Sequence, residues 1–518
     1  MSNDGPRVHT KAIAVLGTGS DVGKSLITAG LCRLLYRCGF KVAPFKAQNM
    51  SLNSYVTLDG GEMGRAQVLQ AQACGLSPHV DMNPILLKPQ TDQQSQVIVQ
   101  GNVWNTQEAK EYFAHKATLF EIVKASYDRL AQQYEVIVIE GAGSAAEMNL
   151  RDRDIVNWPV AEMADAPVVL VADIDRGGVF AQVIGTMDLL TSNERKRVLG
   201  IIINKFRGDA RLFEDGVKMI EARTGVPVLG VLPYLPHLEL DQEDSVDVDR
   251  FRTTSFLSTT INMAVLLLPH MSNFTDFNHL GAESDVALRY VRSPKELDGA
   301  DAVIIPGSKT TIADLKYLRD EGFEQALSRQ LEHGVEIIGI CGGFQMLGRR
   351  IADPHRIEGG GEIDGLGLLE MITILTAEKK TVQVKAHPLL YDSFFDHVVQ
   401  GYEIHMGETT GKDLQPCFQI MSGSELAFDG GCREDRNVWG TYIHGVFDQP
   451  VFRRMWLNRI RERKGLVAVD VSVSKTVSQR LSNALDRWAD HVEKHVNFMP
   501  VLHLLGLEVN SNTNKSGA

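Results

Sequence analysis

The stretch Gly17-Thr18-Gly19-Ser20-Asp21-Val22-Gly23-Lys24-Ser25 constrains this chain more than any other. It is entered from the apolar run Ala12-Ile13-Ala14-Val15-Leu16 and left through a helical pattern over Leu26–Tyr36. Strand, glycine-rich turn and helix in that order let backbone N–H groups wrap a polyphosphate at a helix N-terminus. Gly19 and Gly23 would allow the close backbone approach, Lys24 would reach the β- and γ-phosphates, and Ser25 would offer a hydroxyl to Mg²⁺. Five residues separate Gly17 from Gly23, where the common spacing between the outer glycines is four, and Thr18 takes the usual first-glycine position. An ordinary glycine-rich turn is the plain alternative. The terminal Gly-Lys-Ser in strand–helix context favours a nucleotide-phosphate site, and so ATP with Mg²⁺.

Around that loop, residues 11–240 alternate short β-branched runs with helical stretches, the pattern of βαβ units and a parallel sheet. Strands are expected at Ile13–Leu16, Lys41–Phe45, Val136–Ile139, Val168–Val171, Leu199–Ile203 and Val228–Val231. Ligands of such sheets sit beyond the carboxyl ends of the strands, so the residues that follow each run are candidates. Lys46 opens an amide-rich stretch that ends at Ser54 and suits ligand contact. Glu140, heading Gly141-Ala142-Gly143-Ser144, can hold Mg²⁺ opposite Ser25. Asp173 and Asp175 follow the fourth run. Asn204-Lys205 follows the fifth, where the amide would either read a purine edge or cap a helix.

At 518 residues the chain has room for two or three domains, and 44% apolar with 23% charged residues is ordinary globular composition. A net charge of −12 argues against a nucleic-acid partner. The polar N-terminus lacks the apolar core of a signal peptide, and no apolar run is long enough to span a bilayer, so the expectation is a cytoplasmic protein without membrane contact. The six cysteines show no paired metal spacing and are expected to be mostly buried thiols.

Leu238–Thr260 is acidic and polar and marks a domain boundary, after which the βα rhythm restarts with strands expected at Ile261–Leu268, Ala302–Ile305, Val335–Ile340 and Val438–Ile443. Gly339-Ile340-Cys341-Gly342-Gly343 closes one of these runs and opens a helical stretch, Phe344–Ile351. This is a cysteine version of the nucleophile elbow, with the thiolate favoured by the following helix N-terminus. His444, at the end of another run, is the candidate base. Backbone N–H groups of Pro306-Gly307-Ser308-Lys309 and of Gly342 would form an oxyanion hole.

These motifs resemble known families. The longer phosphate loop is similar to that of dethiobiotin-synthetase-type ATPases, and the Cys341 and His444 motifs resemble class I (triad-type) glutamine amidotransferases. Lys46–Ser54, Glu62–Gln67, Met82–Pro89, Glu140–Ser144 and Asn149–Asp154 together resemble the cobyric acid synthase family, over about Ile13 to Asp448. The resemblance implies an α/β chain with a P-loop parallel-sheet synthetase domain at 1–240, an acidic linker at 241–260, a glutamine amidotransferase α/β domain at 261–455, and a helical extension with a polar tail at 456–518. It implies ATP, Mg²⁺, L-glutamine and a corrinoid, with amidation of the b, d, e and g carboxylates of adenosylcobyrinic acid a,c-diamide. The oligomeric state stays open.

Asp152, Asp154 and Arg151 are then contacts at the acceptor carboxylate or at Mg²⁺, or else a solvated charged loop. Class I enzymes carry Glu two residues after the histidine, and here that position is Val446. Glu403 and His405, within Gly401–Gly407, would orient His444, touch substrate or hold a loop together. The related a,c-diamide synthases and, from another class, a ParA-like ATP switch are the competing readings. The switch would leave Cys341 without purpose.

Overall fold

The computed structural model describes residues 10–507 apart from 91–93, 109–111, 113, 237, 239, 241–253, 413, 422–425 and 472–476. Most of the expected acidic linker and all of the tail from 508 onward lie outside the described residues.

The first domain is built on β1 (Lys11–Gly17), β2 (Val42–Phe45), β3 (Val136–Glu140), β4 (Val168–Asp173), β5 (Val198–Phe206) and β6 (Val228–Pro233). They form a six-stranded sheet in the order β6-β5-β4-β1-β3-β2, with every pairing parallel. The central strands are apolar through their middles, with charged or polar residues only at their ends, because helices cover both faces. β1 lies between β3 and β4, so the loops after these three strands open side by side at one edge of the sheet. A smaller sheet of Gln48–Met50, Ile85–Pro89, Gln94–Val99 and Asn102–Glu108 grows out of the segment after β2.

The second domain repeats the architecture with β7 (Ile261–Leu266), β8 (Val286–Val291), β9 (Ala302–Ile305), β10 (Glu336–Ile340), β11 (Gly431–Cys432) and β12 (Val438–Thr441). Their order is β8-β7-β9-β10-β12-β11, parallel except at the β11 edge. A third sheet, dominated by the long antiparallel pair Met371–Pro388 and Val399–Gly411, packs beside it.

Two expected elements differ. The helix after Cys341 is short, Gly342–Met346, and Ile351 lies in the strand Arg350–Asp353. That strand pairs with Met371–Pro388, and Gly348 is pressed against the Met371 carbonyl, so the chain turns away where a helix would continue. The run Val438–Ile443 is likewise split. Its last residues, Ile443–His444, leave the parallel sheet and pair with Tyr402 and Glu403 of the antiparallel one.

The helix Pro450–Arg463 runs across the boundary expected at 455 and packs on the second domain's core. The helix Val477–His495 instead returns to the first domain. There Trp488 donates its indole N–H to the Leu26 carbonyl at 2.6 Å, and Arg33 grips Asp486 through two bonds of 2.8 and 2.9 Å. Of the six cysteines, all free, only Cys38 is part-exposed.

Candidate active site

The helix Lys24–Arg37 begins directly at the end of the glycine-rich turn. Gly23 has φ 98°, and a Cβ there would stand 2.2 Å from the Asn204 amide nitrogen, so both the backbone conformation and the space require glycine. Asn204 neither caps a helix nor faces open space. Its Nδ2 donates to the Val22 carbonyl at 2.8 Å and braces the turn from β5, while Lys205 reaches the Asp21 carbonyl and pairs with Asp173 at 3.0 Å. Lys24 is buried and donates from Nζ to the carbonyls of Gly19 (2.8 Å) and Gly143 (2.9 Å), tying the loop after β1 to the loop after β3.

Glu140 is fully buried at the end of β3. Its Oε1 accepts from the Ser25 hydroxyl at 2.7 Å and from Lys46 Nζ at 2.9 Å, and its Oε2 accepts from Gln70 (2.5 Å) and Gln67 (3.3 Å). Burial works against its charge, yet Lys46 and the bonds from Ser25 and Gln70 hold its pKa below the ordinary value. Neighbouring hydroxyl and carboxylate oxygens are hard donors of the kind a nucleotide-bound Mg²⁺ takes, so Ser25 and Glu140 fit that ion. Gln67 and Gln70 were not legible as partners of Glu140.

Of the Lys46–Ser54 stretch only part stays at this site. Lys46 bonds Glu140 and Asn49 bonds Gln67 at 3.0 Å, whereas Asn53 and Ser54 lie against the second domain. Asp154 engages backbone amides. Its two carboxylate oxygens accept from the amides of Val156 (2.8 Å), Asn157 (3.0 Å) and Trp158 (3.2 Å), holding the start of the next helix. Asp152 is exposed, and Arg151 is paired with Glu194.

In the second domain Cys341 has φ 50° and ψ −108°, a strained conformation at the junction of β10 and its short helix. The turn can be this sharp because Gly343 passes so close to β9 that a Cβ would lie 2.0 Å from the Ile305 carbonyl. Beside the thiol is a cavity lined by Gly342, Ser308, Lys309, Gln345, Glu358, Lys379 and His444, and also by Lys88 of the first domain. Gly307 lies against the imidazole, where a Cβ would be 3.3 Å from His444 Cε1.

The residue that orients His444 is Asp276. Its Oδ2 is 2.7 Å from His444 Nδ1, and its Oδ1 accepts from the Gly445 amide at 3.1 Å. Nε2 is buried without a hydrogen-bond partner among the described residues, and the Cys341 thiol donates to the Ile404 carbonyl at 3.7 Å, both side chains lining the one cavity. Burial disfavours the imidazolium, but Asp276 and Cys341 push its pKa up to about 10. A cysteine, a histidine facing it through Nε2 and a carboxylate on Nδ1 can together deliver a thiolate and return a proton to a leaving amine. Asp276 lies in the short helical turn Phe274–Phe277, far from Val446 in sequence. The only signal for it was its place in the loop beyond β7. Glu403 has other partners, His405 Nε2 at 3.2 Å and Lys380, and His405 stacks on Tyr442.

Residues 11–242 match the AAA domain family and residues 262–452 the CobB/CobQ-like glutamine amidotransferase domain family. The chain is 46% identical over 510 residues to a cobyric acid synthase of Syntrophobacter fumaroxidans, covering 96% of this chain and 99% of that one. It is 48% identical to the cobyric acid synthases of Citrobacter koseri, over 96% of this chain and 98% of that one, and of Clostridium botulinum, over 96% and 99%. The chain belongs to the cobyric acid synthase family, glutamine amidotransferase ligases with an ATP-binding P-loop domain.

Proposed function

We propose that this family member amidates the b, d, e and g carboxylates of adenosylcobyrinic acid a,c-diamide to give adenosylcobyric acid, using ATP and glutamine. The observation that carries the reading is the pairing, in one chain, of the Lys24–Ser25–Glu140 constellation with Cys341–His444–Asp276. A carboxylate does not react with ammonia in neutral water, because O²⁻ is no leaving group. Transfer of the ATP γ-phosphoryl to the carboxylate gives an acyl phosphate, whose phosphate can leave. Lys24 and the turn amides, with Gly19 and Gly23 allowing close approach, would cradle the phosphates, and Lys46 stands beside them on Glu140. Mg²⁺, when bound, supplies charge neutralisation at the phosphates, held by Ser25 and Glu140.

Ammonia is mostly protonated at pH 7 and then unreactive. Cys341 thiolate attacks the glutamine carboxamide, with the Gly342 and Gly307 amides facing the oxyanion, and His444 passes its proton to the departing ammonia. Water then releases glutamate from the thioester. The names of the relatives support the cobyric acid synthase reading over the a,c-diamide synthase one. Mass spectrometry of the a,c-diamide incubated with protein, ATP, Mg²⁺ and glutamine should show four successive amidations. An unchanged a,c-diamide, with cobyrinic acid amidated instead, would overturn the assignment.

A further inference from the structure

The triad of the second domain is not built by that domain alone. Asn53 Oδ1, from the first domain, accepts from the Phe274 amide at 3.1 Å, and the Ser54 amide donates to Asn273 Oδ1 at 3.0 Å. These reciprocal bonds hold the start of the turn that carries Asp276, whose own amide donates to the Asn273 carbonyl at 3.0 Å. The Ser54 carbonyl accepts from the Tyr402 hydroxyl at 3.1 Å, and the Tyr402 ring stacks on His444 with centroids 5.4 Å apart and planes 20° from parallel. Asn53 and Asn273 are 3% and 2% exposed, so water does not substitute for either bond.

We propose that Asn53 and Ser54 are positioning residues for glutamine hydrolysis, fixing from the first domain both the carboxylate on His444 Nδ1 and the ring against its face. The nine residues from Lys46 to Ser54 then touch both sites, Glu140 at one end and the Asp276 turn at the other. The inference rests on Cys341 and His444 hydrolysing glutamine.

The test uses the full chain. Asn53→Ala removes one acceptor. Asn273→Gly removes the other while keeping the left-handed backbone (φ 52°) and so guards against a variant that merely misfolds. Each should lower kcat for glutamate release about 10- to 100-fold, the scale of a disturbed general base, with KM for glutamine and ammonium-driven amidation within about twofold. The alkaline limb of the glutaminase pH profile should move toward neutral as His444 loses the full influence of Asp276. In an Asp276→Asn background, Asn53→Ala should add less than about twofold, because both act through one imidazole. Equal loss with glutamine and ammonium, an unmoved pH limb, or fully additive losses would each overturn the proposal. Glutamate release that survives Cys341→Ala would instead overturn the reading beneath it.

Discussion

The phosphate-loop site and the thiol site solve the same problem in opposite ways. The first is local. Nine consecutive residues and the end of the neighbouring strand supply Lys24, Ser25 and Glu140, and parallel pairing of Val15 with Glu140 sets the distance between them. The second is assembled from segments around 276, 341 and 444, two of them on different sheets, and is braced by a loop from the other domain. A contiguous motif brings its geometry with it through one turn and one register. A dispersed site depends on packing between elements, so it is the more open to remote control and to damage from a distance.

The largest effects should separate the two regions. Lys24→Ala is expected to lower amidation on the order of 10³-fold or more with either nitrogen source, since the phosphoryl step loses its charge clamp. Comparable rates in variant and wild type would detach the loop from the reaction. Cys341→Ala should abolish glutamate release and glutamine-driven amidation, while high ammonium at alkaline pH restores amide formation. Failure of ammonium to rescue a folded, ATP-binding variant would show that the regions are not separable.

Asp276→Asn should follow, with glutamine-dependent kcat down about 100-fold and ammonium-dependent rate unchanged. His444 titrates near 10, above its ordinary 6.5. The stability contributed by its pairing with Asp276 is therefore fully present below pH 6.5 and lost as pH rises through about 10. Unfolding measured across that window should show a decline in wild type that is absent in the variant. A decline equal in both would remove Asp276 as the partner.

The smallest effect sharpens the first region. Asp154→Ala should cost about 1–3 kcal/mol of stability through the amides it leaves unpaired, with KM for the corrinoid unchanged. A raised KM at constant melting temperature would return Asp154 to the substrate site.

Periodicity and motif spacing, taken from the sequence alone, were enough for two parallel-sheet domains, for the glycine turn that opens the helix at Lys24, for Glu140 at a strand end and for the sharp turn at Cys341. Each depends on residues close in the chain or on strand ends, where the period of side chains and the turn chemistry act locally. Val446 showed equally plainly that the usual third member was absent. What replaced it was beyond sequence reading. Asp276 becomes the partner of His444 only because Ile443–His444 leaves one sheet for another and the Phe274–Phe277 turn docks on Asn53 and Ser54. Likewise nothing in the sequence showed that Asp154 would accept from the amides that begin the next helix, and the final long helix gave no sign that it would close back on the first domain. Contacts between residues far apart in the chain leave no periodic trace, so tertiary packing alone decided which carboxylate met the histidine.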